Sequence, residues 1–380
     1  MKILLITDLY PLENGTEPKT IRNFALNWQK SGHYVDVLRP NFMFNTLIRK
    51  RKIYPEKVFY DEDIKIYNVN FFTPFWFDIK QKLPKDFKVF NYDLVVSHMP
   101  CGALVANKLL KRLLGIPYVC SVHASDLKVM EDKIYRIFFA KPLLAAYKRA
   151  DAISARNAEF AEKIKKLSEY AEFKTFIAPS GIPSEMIETE EYFRNKALKR
   201  TDKFIITTVA KLIKRKNVDL IIKALYKTHI DNFVFRIIGD GPEKPYLKKI
   251  ARIRKIESKL IFEDEIPHEE VMNKMKLSDL FILVSEGETF GVSYLEAAAK
   301  ANIVIATEKG GVDGIIISGK NGFTCPPDED KLAELIKQIY RLSAVQKKEI
   351  LTSLRNTILD YDDREVSKRY LERAFGIINP

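Results

Sequence analysis

Short apolar runs alternate with longer amphipathic stretches along the whole 380-residue chain. Brief, uninterrupted apolar runs are typical of strands that are buried on both faces of a parallel sheet. In the first half the pattern predicts strands at Lys2–Thr7, Tyr34–Leu38, Leu94–Ser97, Tyr118–Val122 and Ala152–Ser154, and helices at Thr20–Lys30, Ala103–Leu114 and Lys141–Arg149.

The second half repeats this alternation. It predicts strands at Phe204–Val209, Phe233–Ile238, Lys259–Phe262, Leu280–Val284, Ile303–Ala306 and Gly322–Cys325, and helices at Asp219–Tyr226, Pro245–Lys255, His268–Met275, Val292–Lys300 and Glu329–Leu342. Such alternation predicts an α/β fold with two Rossmann-like, doubly wound domains. The Pro-Ser-Gly-Ile-Pro stretch at 179–183 marks the boundary, so we predict domains at 1–180 and 181–360. Ligands bind beyond the carboxyl ends of such strands, which predicts a cleft between the domains.

Residues 39–90 interrupt the alternation. They contain eleven Lys or Arg, six Asp or Glu and thirteen aromatic residues, including Phe75, Trp76 and Phe77. One interpretation is an elaborated loop with its own small core. The other is a basic, aromatic surface that lies at an anionic membrane or holds a lipid-linked acceptor.

Charge and cysteine content narrow the function classes. The net charge of +13 predicts an anionic partner, and the sequence shows no nucleic-acid-binding motif, so we expect a phosphate-bearing substrate or a membrane surface and no nucleic acid. No apolar run approaches the roughly 20 residues that span a bilayer. The three cysteines are scattered, which argues against a zinc site and against disulfides and fits a cytoplasmic protein.

The segment Ser285–Glu296 carries the strongest chemical pattern. It follows a predicted strand and opens a predicted helix, and Gly291 lies near the helix start, where free N–H groups suit a diphosphate. Glu288 and Glu296 lie up to about 12 Å apart along a helix, a reach comparable to a sugar, a diphosphate and a ribose. Their carboxylates could accept hydrogen bonds from sugar and ribose hydroxyls. Taken alone, they are also explained by a charged loop and a solvated helix face.

This segment, with the Gly310-Gly311 that follows it, resembles the donor-binding region of the retaining GT-B glycosyltransferases of family GT4. The resemblance implies that Glu288 contacts the donor sugar, that Glu296 contacts the ribose and that the amides of Phe290 and Gly291 contact the phosphates. The neighbouring Thr289 and Val292 are included in the predicted donor site.

Further matches lie after other predicted strands. Residues 209–224 resemble the family's G-R-L-x-x-x-K-G segment, which implies that Lys211 and Lys216 clamp the diphosphate. Lys211 replaces the usual Arg, and Asn217 replaces the usual Gly. By the same resemblance, Gly239 belongs to a turn beside the nucleotide, and the backbone at Ile266 reads the base.

In the first half, His123 follows the strand Tyr118–Val122. The resemblance assigns His123 to the active site, where it contacts the sugar or stabilises developing positive charge through its backbone carbonyl. We interpret Asp126 as a helix N-cap. Gly15 lies in the position of the family's Gly-Gly-x-Glu loop, whose amide approaches a donor phosphate.

Together, the resemblance implies a retaining glycosyltransferase that moves a sugar from a UDP- or GDP-sugar to a glycan or lipid-linked acceptor, in surface polysaccharide or glycoconjugate biosynthesis. His123, Glu288 and Lys216 are the expected catalytic residues. The first domain would bind the acceptor, the second the donor, and the C-terminal helix at 361–380 would return to the first domain. No metal or other cofactor is expected, because lysines and a helix terminus would hold the diphosphate. The expected location is the cytoplasm, at the inner face of the membrane.

Two other functions stay open. A nucleotide-sugar hydrolase or 2-epimerase of the same fold would process the donor without an acceptor sugar. A non-catalytic, membrane-associated protein could bind sugar nucleotides without transferring the sugar.

Overall fold

The computed structural model describes residues 1–12, 19–42, 55, 57–71, 83–84, 87–110, 115–167, 171–198 and 203–379. Contacts divide the chain into two units, residues 1–180 with 363–380, and residues 181–362. The sequence predicted boundaries after residues 180 and 360, and the contacts place them after residues 180 and 362. Within the described ranges, every helix is too short or too polar to cross a bilayer.

The first unit is built on an eight-stranded sheet in the order β3-β4-β2-β1-β5-β6-β7-β8. Its strands are β1 (Lys2–Ile6), β2 (Tyr34–Phe42), β3 (Lys57–Asp61), β4 (Ile64–Phe71), β5 (Leu94–His98), β6 (Tyr118–Ser121), β7 (Ala152–Ala155) and β8 (Thr175–Ile177). The described helices before residue 180 are α1 (Thr20–Lys30), α2 (Met99–Leu110), α3 (Ala124–Glu131), α4 (Lys133–Arg149) and α5 (Ala158–Leu167). The strands pair in parallel except for the antiparallel hairpin of β3 and β4 at one edge.

Part of the 39–90 segment belongs to this sheet. Arg39 lies in β2 and is buried, and its guanidinium donates hydrogen bonds to the carbonyl of Tyr10 (2.8 Å), to Asn41 Oδ1 (2.6 Å) and to Asn68 Oδ1 (3.0 Å). Arg39 is therefore not part of an exposed basic surface, and the described strands are not a loop. The Phe75–Phe77 cluster lies outside the described residues, so its contact with a membrane stays a prediction.

The second unit is built on a six-stranded parallel sheet in the order β11-β10-β9-β12-β13-β14. Its strands are β9 (Phe204–Val209), β10 (Phe233–Ile238), β11 (Leu260–Glu263), β12 (Leu280–Leu283), β13 (Ile303–Thr307) and β14 (Phe323–Cys325). Its described helices are α6 (Glu190–Leu198), α7 (Val218–Thr228), α8 (Lys244–Ile253), α9 (His268–Lys276), α10 (Val292–Ala299), α11 (Glu329–Tyr340) and α12 (Ala344–Leu359). All six predicted strands are confirmed within about two residues at their ends, the usual scatter between assignments.

The last helix, α13 (Asp363–Ile378), packs in the first unit. Trp28 of α1 donates its indole N–H to the carbonyl of Ser367 (2.9 Å). The hydroxyls of Tyr370 and Ser121, at the end of β6, are hydrogen-bonded at 2.6 Å. Since β6 ends just before His123, the helix stabilises the carboxyl end of the strand that leads to this histidine.

Close packing of α2 against β1 gives a stability prediction. A Cβ at Gly102 would lie 2.3 Å from the carbonyl oxygen of Ile6, so Gly102→Ala forces the helix away from the strand. We expect a loss of about 1–3 kcal/mol, as for other overpacked sites. Trp28 is buried in the first unit, and the sequence of the second unit, residues 181–362, contains no tryptophan, so urea unfolding followed by tryptophan fluorescence reports on the first unit.

Gly376 in α13 is the matched control, since a Cβ there would meet no atom within 4 Å. Gly376→Ala should raise the stability by about 0.5–1 kcal/mol through helix propensity. Equal effects of the two substitutions would contradict the close contact between α2 and β1.

Candidate active site

The loop between β12 and α10 forms the centre of the candidate site in the second unit. Gly291 precedes α10 in the left-handed region (φ 79°, ψ 67°), and a Cβ there would lie 2.5 Å from the ring of Tyr294 and 3.1 Å from Cγ of Glu288. Both the backbone and the packing therefore require glycine. The first N–H groups of a helix have no intrahelical partner, so this loop ends at a position suited to an anion.

Lys216 and Glu288 are in direct contact. The ammonium of Lys216 donates a hydrogen bond to Oε2 of Glu288, and their side chains are only 12% and 15% exposed. The hydroxyl of Ser285 donates to the same oxygen (3.0 Å), and Arg215 Nη1 lies 3.9 Å from it. The carboxylate is thus held in one orientation by three neighbours, which is the preorganisation that recognition of a sugar hydroxyl requires.

Two further hydrogen bonds join the loops that carry this pair. The N–H of Glu286 donates to the carbonyl of Arg215 (2.8 Å), and Nδ2 of Asn217 donates to the carbonyl of Val284 (2.9 Å). Asn217 adopts the left-handed conformation (φ 51°, ψ 35°), which asparagine tolerates better than most residues other than glycine. The replacement of the family's usual glycine by Asn217 therefore preserves this turn and adds a side-chain contact.

Phe290 is predicted to contribute to the site through its backbone. Its side chain is buried, and a Cβ at Gly311 would lie 2.5 Å from its carbonyl oxygen. The Gly310-Gly311 turn thus packs directly on the loop. Thr289 and Val292, on either side of Phe290-Gly291, are half-buried.

The other predicted donor residues lie around this centre. Oε1 of Glu296 is 2.8 Å from Nε2 of His268, which begins α9 two residues after Ile266, so the predicted base and ribose contacts are linked. Gly239 has φ 130°, and a Cβ there would lie 2.1 Å from the carbonyl oxygen of Ala210. This close approach brings Gly239 beside Lys211, whose exposed ammonium has no hydrogen-bond or ion-pair partner in the described part of the chain.

The first unit carries a separate cluster around His123. The residue caps the start of α3 in an extended conformation (φ −127°, ψ 171°), and its N–H donates to Oδ2 of Asp126 (2.9 Å). The interpretation of Asp126 as the N-cap was wrong, because Asp126 is the third residue of α3 and completes the cap that His123 begins. Asp126 is fully buried, and this burial raises its pKa to about 7 although Tyr147 donates a hydrogen bond to it (3.2 Å).

A second histidine, which the sequence interpretation missed, belongs to this cluster. His98 ends β5, is fully buried and has its Nδ1 atom 3.1 Å from Nε2 of His123. Burial, with the nearby charge of Arg156, holds the pKa of both histidines well below the usual value, so both rings are neutral at pH 7. The sequence signal was available, because His98 follows an apolar run just as His123 does.

Two expectations are not tested by this geometry. Gly15 lies outside the described residues. Among the described residues there is no cluster of three or more Asp, Glu, His or Cys side chains that could hold a metal, but metal independence itself stays a prediction.

A two-unit α/β protein with this sheet order and these loops has the GT-B fold of glycosyltransferases. A structure of HepE from Anabaena, in complex with UDP and glucose, superposes with a TM-score of 0.69 over 98% of both chains at 17% identity. The sequence model of "Glycosyltransferase Family 4" matches residues 18–185, and that of "Glycosyl transferases group 1" matches residues 189–352. The chain therefore belongs to the family 4 (group 1) glycosyltransferases, and it is a glycosyltransferase.

Two curated relatives show how far sequence similarity extends. TuaC of Bacillus subtilis (strain 168), a glycosyltransferase assigned to teichuronic acid biosynthesis, is 26% identical over 75% of this chain and 71% of its own. The N-acetyl-alpha-D-glucosaminyl L-malate synthase of Bacillus anthracis is 23% identical over 77% of this chain and 76% of its own.

The raised pKa of Asp126 gives a testable pH dependence. Its folded pKa of about 7 lies above the ordinary value of about 3.9, so the folded state is progressively destabilised as the pH rises from about 4 to 7. Asp126→Asn keeps an oxygen for the N–H of His123 and removes this titration. We expect the melting temperature of the variant, relative to wild type, to be higher at pH 8 than at pH 5.

Asp63→Asn, at an exposed turn of the same unit, is the control and should show no such trend. A melting temperature of Asp126→Asn that, relative to wild type, is the same or lower at pH 8 than at pH 5 would contradict the burial argument.

Proposed function

We propose that the protein is a retaining, metal-independent glycosyltransferase that moves a hexosyl or N-acetylhexosaminyl group from a nucleotide-diphosphate sugar to an acceptor hydroxyl. The observation that carries the proposal is the Lys216–Glu288 pair beside the start of α10. A cation, a fixed carboxylate and a helix N-terminus are the groups that a diphosphate sugar requires, and here they adjoin one loop.

The positive groups of this site support catalysis of donor cleavage. As the glycosidic bond breaks, negative charge grows on the departing diphosphate. Lys216, the exposed Lys211 and the first N–H groups of α10 are the groups that would stabilise that charge. Since these groups supply positive charge, the proposed mechanism has no step that depends on a metal ion.

The contacts of Glu288 favour binding over nucleophilic attack. Lys216 and Ser285 both hydrogen-bond its Oε2, and Arg215 lies nearby, which lowers the reactivity of that oxygen. Glu288 would instead accept hydrogen bonds from hydroxyls of the donor sugar, and Glu296 would do so from the ribose. Retention would then follow from front-face transfer, in which the departing phosphate takes the proton of the acceptor hydroxyl.

The relatives support the substrate classes. HepE is described with UDP and glucose bound, which supports a uridine-containing donor. TuaC is assigned to teichuronic acid biosynthesis, which supports a surface polysaccharide or glycoconjugate acceptor, and the net charge of +13 fits phosphate-bearing substrates. We propose a cytoplasmic enzyme that acts at the membrane surface.

A thermal-shift panel of UDP- and GDP-sugars is the first test, since a ligand that binds only the folded state raises the melting temperature. Incubation of the stabilising donor with and without an acceptor then separates transfer from hydrolysis. Product formation from the donor alone, at the full rate, would instead support a hydrolase or epimerase.

Substitutions of the ion pair test its role. We expect Lys216→Ala and Glu288→Gln each to lower kcat by about 100-fold or more, as removal of preorganised charge stabilisation does in other active sites. Each single variant also leaves one mostly buried charge unpaired, which lowers stability. The double variant Lys216→Met/Glu288→Gln removes both charges, so its melting temperature should recover while its activity does not.

Lys214→Ala, at an exposed lysine of the same turn, is the control and should keep wild-type turnover. Near wild-type turnover in Lys216→Ala, or recovery of activity in the double variant, would overturn the assignment.

Stereochemistry and metal dependence are tested on the wild type. We expect the new glycosidic bond to have the anomeric configuration of the donor, as measured by proton NMR of the product. We also expect unchanged turnover after treatment with EDTA and gel filtration. Inversion of configuration, or restoration of lost activity by added Mg²⁺ or Mn²⁺, would refute the corresponding part of the proposal.

A further inference from the structure

The pair formed by His98 and His123 joins two neighbouring strands of the first unit. β5 and β6 are paired in parallel with His98 opposite Ser121, so the residues at their carboxyl ends lie side by side. The resulting hydrogen bond between Nδ1 of His98 and Nε2 of His123 measures 3.1 Å. His123 therefore has one ring nitrogen fixed by the protein before any ligand binds.

The ring of His98 is itself held in place. It stacks on Phe24 of α1 (centroid distance 6.2 Å, interplanar angle 27°) and on Tyr370 of α13 (6.3 Å, 30°). All three side chains are almost entirely buried. A change in the orientation of His98 would require movement of one of these two helices, so its Nδ1 atom is a fixed point for His123.

Arg156 supplies the electrostatic part of the arrangement. It directly follows β7, is 5% exposed and lies over the ring of Phe24 (5.2 Å). Its guanidinium donates to the carbonyl of Ala178 (3.4 Å), and no carboxylate pairs with it in the described part of the chain. A buried cation without an anionic partner disfavours any second positive charge nearby.

Within the described residues, the ionisable groups around His98 come from three elements. His123 lies at the start of α3, Arg156 after β7 and the Tyr370 hydroxyl on α13, whereas α1 contributes the uncharged ring of Phe24. Asp126 accepts a hydrogen bond from the backbone N–H of His123, not from its ring. Burial and the charge of Arg156 therefore favour the neutral form of the pair.

We propose that His98 is a positioning residue that holds the ring of His123 in one orientation and couples its protonation to its own. The charge of Arg156 supports this arrangement, because it disfavours an imidazolium nearby. The kinetic consequences rest on the proposed function, since they assume that His123 contacts a substrate. The structural consequences do not.

One consequence concerns the positions of the ring protons. The hydrogen bond needs one proton between Nδ1 of His98 and Nε2 of His123. If His98 donates, both neutral rings carry their proton on Nδ1, and if His123 donates, both carry it on Nε2. The two histidines must therefore be the same tautomer, whichever of the two it is.

Long-range proton–nitrogen NMR spectra of protein labelled with ¹⁵N-histidine test this directly, because the chain has five histidines and each ring gives its own pattern. Loss of signals in His98→Asn assigns His98. We expect both rings to be neutral at pH 7 and to share one tautomer. An imidazolium at either position, or two different tautomers, would overturn the proposal without any measurement of sugar transfer.

Matched substitutions test the positioning role. An asparagine amide can reach the position of Nδ1 and donate or accept there, whereas a glutamine amide reaches the position of Nε2 and a leucine offers no polar group. We expect His98→Asn to keep most of the activity. His98→Gln and His98→Leu should lose about 10- to 100-fold in kcat, since a small misplacement of an active-site group costs that much.

Melting temperatures of the three His98 variants separate misfolding from mispositioning. Equal activity loss in all three variants with folding intact would overturn the positioning role. If the wild type transferred no sugar at all, the proposed function would be wrong. The NMR spectra would still test the hydrogen bond between the two histidines independently.

Arg156→Met tests the electrostatic part. It keeps the length of the side chain and removes the charge, so the pKa of His98 and His123 should rise, as measured by NMR titration. The activity of Arg156→Met should consequently fall at a higher pH than that of the wild type when the solution is acidified. Histidine titration curves and a pH profile identical to those of wild type would exclude the role of Arg156.

Discussion

Parallel pairing of β9 with β12 is the constraint on which the candidate donor site depends. Because the two strands are neighbours and run in the same direction, the segments that follow them leave the sheet at the same edge. One segment carries Lys216 and the other carries Glu288. Their ion pair, together with the hydrogen bonds of Glu286 and Asn217, turns two adjacent loops into one fixed surface. The first unit follows the same rule, since parallel β5 and β6 bring His98 to His123.

The two clusters differ in how their buried charges are compensated. In the second unit, the mostly buried carboxylate of Glu288 has two cationic neighbours, Lys216 and Arg215. One carboxylate does not neutralise both cations, so positive charge remains to attract an anionic ligand. In the first unit, Arg156 has no carboxylate partner in the described part of the chain, and the histidines beside it stay neutral. Burial costs more for a charge than for a neutral imidazole, which explains why this cluster carries one cation and not three.

The sequence predicted those elements whose signal is local. Apolar runs located all six strands of the second unit, and the family resemblance identified the Glu288 loop. The hairpin of β3 and β4 was missed because polar residues such as Lys65 and Asn68 interrupt its apolar ones, so neither strand forms a continuous apolar run. The helices α5, α6 and α12 and the short strand β8 were missed as well. Contacts between distant residues, such as Lys216 with Glu288 or His98 with His123, follow from strand order, which no single segment encodes.

The neutral histidine pair also bears on which group removes the proton from an acceptor hydroxyl. A general base works best when its pKa lies near the operating pH. Burial and Arg156 hold the pKa of His123 well below its usual value, and one of its ring nitrogens is already bonded to His98. His123 is therefore a poor general base and a good neutral hydrogen-bonding group. Glu288 has its Oε2 atom already engaged by Lys216 and Ser285, and under the proposed function it holds a hydroxyl of the donor sugar. Under the proposed function, the proton would therefore go to the departing phosphate, whose charge grows as the glycosidic bond breaks. The contacts that engage both side chains are thus consistent with the proposed front-face transfer.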